Sequence, residues 1–381
     1  MTQADRIANV EHPLALGSFR SWVRLLRDND GIDREFWLRV LFVSLSTLLT
    51  TPLRLYERAR CDRAVKSTGI HPSPIFIVGH WRSGTTHLHH LMCQDGNLGY
   101  ISTFQAMAPG FCLVGQRAIK PLLARIARKA HPTRLIDNIP LSFDAPQEEE
   151  FAVANMSPYS FFHLFTFPCQ APYFIERYTL FDGLSGQVLD DWKETYLTVL
   201  RKATLSTGGK RLVLKNPAHS GRIRTVLRLF PDAKFIHIYR NPYRVFLSTL
   251  WLYEVVLPRS QVQKVGPNQV EAYVLRFYRQ LMQRFLADRA LIPAGNLVEV
   301  KFEDLEAAPL EQLRRVYESL DLPGFAEAEP AFRAYLASIG DYQKNEYELS
   351  DRVIADVNRH WQFAFDAWGY PRLEPSTSLL G

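Results

Sequence analysis

Two apolar patterns alternate along most of the chain. Short runs that are apolar nearly throughout recur at residues 75–78, 211–215, 234–240 and 297–302, each closed by glycine, Asn-Pro or an acidic residue. Such a run reads as a strand covered on both faces, which is the habit of a parallel sheet. Residues 98–103 predict a further strand. Between the runs, apolar residues return at helical spacing: Leu88, Leu91 and Met92, then Val188, Trp192, Tyr196, Val199 and Leu200, then residues 243–256 and 270–291. Leu310, Leu313, Val316, Tyr317 and Leu320 share a face after Pro309, and Val353, Ile354 and Val357 share one in residues 350–361. Strands alternating with helices predict an α/β fold, a doubly wound parallel sheet flanked by helices, with right-handed crossovers and ligands at the carboxyl ends of the strands.

Three stretches fall outside that alternation. Residues 1–70 read as an amino-terminal helical extension ending at His71-Pro-Ser-Pro74, with residues 71–381 as the main domain. Within the extension, residues 36–50 are strongly apolar. They are shorter than the roughly 20 residues of a spanning helix and contain Arg39, so a core or interfacial helix is expected. Arg54, Arg58, Arg60 and Arg63 follow, placed to meet anionic headgroups. Residues 115–134 alternate basic side chains (Arg117, Lys120, Arg125, Arg128, Lys129, Arg134) with Ile119, Leu122, Leu123 and Ile126, as a solvated basic helix face would, with a membrane-contacting lid as the alternative. The aromatic run Tyr159, Phe161, Phe162, Phe165, Phe167, Tyr173 and Phe174 reads as core, and beside a reactive centre it would also wall an apolar pocket.

Composition narrows the class without naming a function. At 381 residues with 47% hydrophobic and 22% charged side chains, the chain is globular rather than disordered or collagen-like. Its formal charge of +6 suits an anionic ligand or an acidic membrane surface and does not single out nucleic acid. Cys61, Cys93, Cys112 and Cys169 are far apart and have no histidine at ligand spacing, so neither a disulfide framework nor a zinc site is expected. A reduced, cytoplasmic setting with peripheral membrane contact as an option follows, and the first residues carry no secretory pattern.

The chemistry gathers at Pro74-Ile-Phe-Ile-Val-Gly-His-Trp-Arg-Ser-Gly-Thr-Thr. A strand entering a glycine-bearing loop and then a helix aims backbone amides and the positive helix end at one point, which suits a phosphate. Gly79 and Gly84 have the spacing of a nucleotide triphosphatase loop, but Thr85 stands where that loop needs lysine, and the cation sits inside the loop at Arg82. Arg-Ser-Gly-Thr-Thr after an apolar strand resembles the 5′-phosphosulfate loop of sulfotransferases that use 3′-phosphoadenosine 5′-phosphosulfate (PAPS), in the branch with arginine at this position. A second constellation, residues 234–248, ends a strand at Arg240 and places Ser248 eight residues on, as a bidentate fork and a further donor for a second phosphate. It resembles the 3′-phosphate motif of the same family. The resemblance covers roughly residues 74–305 and implies a P-loop-like sheet with Arg82, Ser83, Gly84, Thr85, Thr86, Arg240 and Ser248 as donor-binding residues. The Arg-Lys-Gly segment of cytosolic members is missing, and residues 343–347 are a possible substitute.

Sulfuryl transfer needs an in-line acceptor oxygen, a base for its proton, and cations where charge develops. Lys215, ending a strand, matches the family lysine that approaches the transferring group. For the base, His219 lies four residues after Lys215, where cytosolic members place a histidine two residues on. Other branches use a glutamate where this chain has Gln105. The cluster Glu148 to Glu150, with Glu149 as its nominal member, is the alternative, and at least two of the three are expected to be solvated. No acidic pair follows a strand at metal-binding spacing, so no metal is expected. The resulting reading is a sulfotransferase acting on a small-molecule hydroxyl acceptor, lipid-like before saccharide. A kinase-like phosphoryl transferase and a non-catalytic, nucleotide-binding membrane-surface protein are the competing readings. Oligomeric state is left open.

Overall fold

In the computed structural model the apolar runs form five strands: β1 (Ile75–Val78), β2 (Leu98–Gly99), β3 (Arg211–Lys215), β4 (Lys234–Tyr239) and β5 (Leu297–Lys301). The structure describes residues 12–29, 31–130, 142–339 and 348–375, with no side-chain account for 127–130. The basic side chains of Arg128, Lys129 and Arg134, and residues 343–347, therefore lie outside the described part.

The strand order is β2-β3-β1-β4-β5, the parallel α/β sheet that the alternation predicts. β1 pairs with β4 from Ile75↔Lys234 to Val78↔His237, and β4 pairs with β5 from Phe235↔Leu297 to Tyr239↔Lys301. Every residue of β1 is fully buried, whereas β5 alternates buried and half-buried positions as an edge strand does. The chain goes to one side of β1 for β2 and β3 and to the other for β4 and β5. The order thus reverses at β1, and the carboxyl end of such a strand is where open α/β sheets hold their ligands.

Residues 98–103 differ from the expectation, because β2 stops at Gly99. The Ser102 hydroxyl accepts from the Gln105 amide at 3.3 Å while Gln105 Oε1 accepts from the Ser102 amide at 2.8 Å, a reciprocal cap that opens the helix Thr103–Met107. Ser-x-x-Gln spells that cap in the sequence. Gln105 is accordingly a capping residue.

The chain divides into two compact units, one of residues 1–71, 99–214 and 254–265, the other of residues 72–98, 215–253 and 266–381. In the first, the helix Gly186–Ser206 buries Trp192, Tyr196, Val199 and Leu200, and the Trp192 and Tyr196 rings stack with centroids 4.9 Å apart. The aromatic run is core as expected: Tyr159, Phe161, Phe165, Phe167 and Phe174 are buried, Phe162 is half-buried, and Tyr173 is exposed. The expectation for the three glutamates fails. Glu148, Glu149 and Glu150 are all buried, because Glu149 and Glu150 form the first turn of an inward-facing helix, Glu149–Met156. Glu150 accepts from the Ser160 hydroxyl at 2.7 Å.

In the second unit, the helix Pro267–Asp288 receives Trp361, whose ring stacks on Tyr278 with centroids 3.7 Å apart and whose Nε1–H donates to the Leu275 carbonyl at 3.0 Å. Trp361 breaks the helical geometry of Asp351–Trp368 with φ −120°. The sequence pattern ends at that break, and the helix resumes beyond it.

Two histidines of the first unit are sealed in neutral. His12 Nδ1 accepts from the Leu14 amide at 3.1 Å, so its proton is on Nε2, which donates to the Ser260 carbonyl at 2.8 Å. Burial is the main cause that holds the His12 pKa down to about 3 and that of His163 down to about 4, against an ordinary value of 6.5. Below pH 6.5 the unfolded chain therefore takes up protons that the folded chain refuses. Their stabilising contribution is complete above pH 6.5 and is lost as the pH falls from there toward 4. Urea unfolding is expected to show stability falling by roughly 2–3 kcal/mol per pH unit from this pair once well below pH 6.5. His163→Gln should make the fall shallower, and an unchanged slope would contradict the burial of a neutral ring.

Candidate active site

The loop after β1 takes its shape from three residues in the left-handed region: Gly79 at φ +141°, Arg82 at +69° and Gly84 at +97°. At Gly79 a Cβ would stand 2.3 Å from the Ile238 carbonyl oxygen of β4, and at Gly84 it would stand 2.2 Å from the Phe302 ring. Glycine is required at both places by space as well as by φ. Gly84 then caps the helix Thr85–Met92, whose first amides have no acceptor within the helix. Ser83 and Thr85 are buried, and Gly84 and Thr86 are half-buried.

The loop is fixed from beneath by Ser220. Its hydroxyl accepts from the Gly79 amide at 2.8 Å and donates to the Gly79 carbonyl at 3.2 Å. His80 contributes no charge: its ring is buried against Tyr278, Nδ1–H donates to the Trp81 carbonyl at 2.8 Å, and burial pushes its pKa down to about 3. The loop's cation is Arg82. Its Nε donates to the Ser248 hydroxyl at 2.8 Å, and the guanidinium lies 5.5 Å from the centre of the Trp251 ring. Arg240 Nη1 donates to the Arg82 carbonyl at 3.3 Å while its guanidinium sits over Phe302 at 4.2 Å. Two constellations some 160 residues apart in sequence, at Arg82 and at Arg240 with Ser248, thus meet. They present two guanidinium groups and a serine hydroxyl beside a helix start.

Lys215 ends β3 and is buried, and Asn216 follows it with its amide donating to the Ile77 carbonyl of β1 at 3.3 Å. The Asn216 side chain accepts from the Ala218 amide at 3.0 Å and opens the short 3-10 turn Pro217–Gly221. His219 sits in this turn, fully buried, with its ring edge-on to Phe76 of β1 at 5.4 Å between centroids. The same turn carries Ser220, so the segment that bears Lys215 and His219 is tied directly to the start of the loop after β1. Glu149 lies in the other compact unit, buried in the first turn of its helix. Among the described residues, no three histidine, cysteine, aspartate or glutamate side chains are grouped to hold a metal ion.

A sulfotransferase family model matches residues 74–327. The omega-hydroxy-beta-dihydromenaquinone-9 sulfotransferase Stf3 of Mycobacterium bovis is 33% identical over 370 residues, covering 97% of this chain and 94% of that protein. The chain belongs to the sulfotransferase family. Its fold agrees with two solved sulfotransferases of low sequence identity. STF9 of Mycobacterium avium superposes with a TM-score of 0.73 at 20% identity over 93% of each chain. STF1 of Mycobacterium tuberculosis gives 0.66 at 18% identity, covering 90% of this chain and 91% of that one.

In this sulfotransferase the seven residues that the sequence resemblance assigns to the donor are brought to one loop and its neighbours. Three side chains that shape the site went unnoticed in the sequence: Ser220, Trp251 and Phe302. Ser220 lies in the polar segment after β3, and Trp251 lies three residues after Ser248, one helical turn on. Phe302 had only the signal of ending an apolar run. Gly84→Ala sets its Cβ into the Phe302 ring at a left-handed φ, an expected loss of roughly 2–4 kcal/mol of stability. Adding Phe302→Leu should restore the packing part and leave the backbone part, as a double-mutant cycle in urea would read. Equal stability of Gly84→Ala and the parent would overturn this account of the loop.

Proposed function

We propose that this sulfotransferase moves the sulfuryl group of PAPS to the hydroxyl of a lipid-like alcohol. The observation that carries the donor half is the meeting of Arg82, Ser248 and Arg240 at the start of the Thr85–Met92 helix. A nucleotide with phosphates at its 3′ and 5′ positions has two anionic centres, and two guanidinium groups from neighbouring strand ends suit such a pair. Arg82 and the helix-start amides of Thr85 and Thr86, with Ser83 and Gly84, are assigned to the 5′-phosphate. Arg240 and Ser248 are assigned to the 3′-phosphate. On this reading the Arg82–Ser248 hydrogen bond keeps the two sites in register before the donor arrives.

In the transfer, the acceptor oxygen forms a bond to sulfur while the bond from sulfur to the 5′-phosphate oxygen breaks. The hydroxyl proton passes to a base, and the products are a sulfate ester and adenosine 3′,5′-bisphosphate. Charge grows on the departing 5′-phosphate, where Arg82 and the loop amides are preorganised and need not reorient. Lys215 is assigned to the transferring group. His219 is the first choice for the base and Glu149 the second. Stf3 is named for a hydroxylated menaquinone, and it is similar to this chain nearly end to end. The aromatic core beside the buried Glu149 helix accords with an apolar acceptor.

Adenosine 3′,5′-bisphosphate at 100 times its Kd is expected to stabilise the protein by about 2.7 kcal/mol, read as a rise in Tm. ATP with magnesium should not reproduce the rise, and Arg240→Ala and Ser248→Ala should lose it. A rise with ATP and magnesium alone would sink the donor assignment. With a long-chain isoprenoid alcohol and labelled donor, His219→Asn is expected to lower kcat by about 10²–10⁴-fold while keeping the bisphosphate shift. If Glu149→Gln has that effect instead, the base is the glutamate. Rapid sulfation of a free hexose with none of the isoprenoid alcohol would replace the lipid-like acceptor by a saccharide.

A further inference from the structure

The apolar helix near the amino terminus wears its polarity inside out. The stretch Arg34–Ser67 is long and apolar enough to cross a membrane, yet only 28% of its most apolar window is buried. Its helices Trp37–Leu49 and Thr51–Ser67 are separated by Thr50 alone. The face turned to the protein carries Arg39, Thr47 and Glu57, each buried, alongside Val40 and Val43. Arg39 donates to the Gln261 carbonyl at 2.5 Å and to the Pro258 carbonyl at 2.7 Å. Arg54 donates to the Leu16 carbonyl at 3.0 Å. Glu57 accepts from the Leu113 and Val114 amides at 2.6 and 3.1 Å and pairs with Lys202 at 2.6 Å.

The opposite face is leucine. Leu38, Leu41, Leu45, Leu48, Leu49 and Leu55 are between 49% and 76% exposed. At about 100° per residue they fall within roughly a third of the helix circumference, and from Leu38 to Leu55 they run roughly 26 Å. Trp37 and Tyr56, both exposed, stand at the two ends of the row. Exposed arginines continue it, Arg34 before and Arg60 and Arg63 after, while Lys66 is paired with Asp62. The helix Ile119–Ala130 adds exposed Leu122 and Ile126 beside exposed Arg125. Its Ile119, Leu123 and Ala124 pack on the same Phe104 and Phe111 cluster as Leu53.

We propose that this leucine face seats the protein on the surface of an anionic lipid bilayer, with the helix lying in the plane of the interface. Spanning is excluded by the other face: Arg39, Arg54 and Glu57 bind the protein along its length and would otherwise enter hydrocarbon. Charge distinguishes lipid from a second copy of the chain. Paired head to tail or side by side about a two-fold axis, the arginine-flanked ends of two such rows would meet cation against cation. Anionic headgroups neutralise both ends, and the terminal tryptophan and tyrosine have the side chains that favour the headgroup level. The inference rests on this surface alone and is independent of the acceptor's identity.

Flotation of the full chain with vesicles of phosphatidylcholine, alone or mixed with phosphatidylglycerol, tests it. The protein is expected to float with the mixed vesicles and far less with the neutral ones. Leu41→Glu/Leu48→Glu should lower the bound fraction by about tenfold or more while leaving Tm and the bisphosphate shift unchanged, since both leucines are exposed. Arg60→Glu/Arg63→Glu should weaken binding to the mixed vesicles only. The proposal fails if the parent stays unbound to mixed vesicles, or if the leucine variant binds as the parent does. It also fails if light scattering finds a dimer that the leucine variant dissolves and no flotation occurs, which gives the face to a second copy.

Discussion

The hydrogen bond from Arg82 to Ser248 is the contact on which the site depends. Arg82 makes it from a left-handed conformation, which costs an arginine energy and must be held by its surroundings. Those surroundings are visible. Gly79 and Gly84 let the chain press against Ile238 and Phe302, Ser220 grips the loop at Gly79, and Arg240 takes the Arg82 carbonyl. The loop is therefore shaped by β4, by the turn after β3 and by the residue after β5 before any anion approaches it. A site prepared in this way spends little of its ligand's binding energy on ordering.

The turn Pro217–Gly221 joins two roles. Ser220 anchors the loop after β1, and one residue earlier His219 packs against β1. The loop after β1 and the buried histidine are thus held by adjacent residues of one turn. The same economy appears in the first unit, where polar side chains are turned inward. Glu57 closes onto two amides and Lys202, and Arg39 onto two carbonyls, so the charges are consumed in holding the unit together. What that leaves outside is leucine.

Much of the molecule was legible along the chain. Apolar runs and helical periodicity specify β1, β3, β4 and β5 and the long helices between them: β1, β3 and β4 are buried nearly throughout and cannot hide their composition, while β5 carries the alternation of an edge strand. The loop glycines, Arg82, Arg240 and Ser248 were readable because they stand at fixed offsets from strand ends, and the structure brings them together. Ser-x-x-Gln also spells the cap from Ser102 to Gln105, where the apolar residues of 98–103 by themselves favour a strand.

Other features exist only in three dimensions. Local sequence determined that this protein is a sulfotransferase-like α/β chain with an arginine in the loop after β1. It could not say that Glu148, Glu149 and Glu150 are buried, because three consecutive carboxylates look solvated until an inward-facing helix closes over them. Nor could it say which face of residues 36–50 is covered, since the leucines are the residues that pattern alone would bury. Tertiary contacts decided otherwise: Arg39 and Glu57 find bonding partners distant in sequence, and those bonds turn their side of the helix inward and leave the leucines outside.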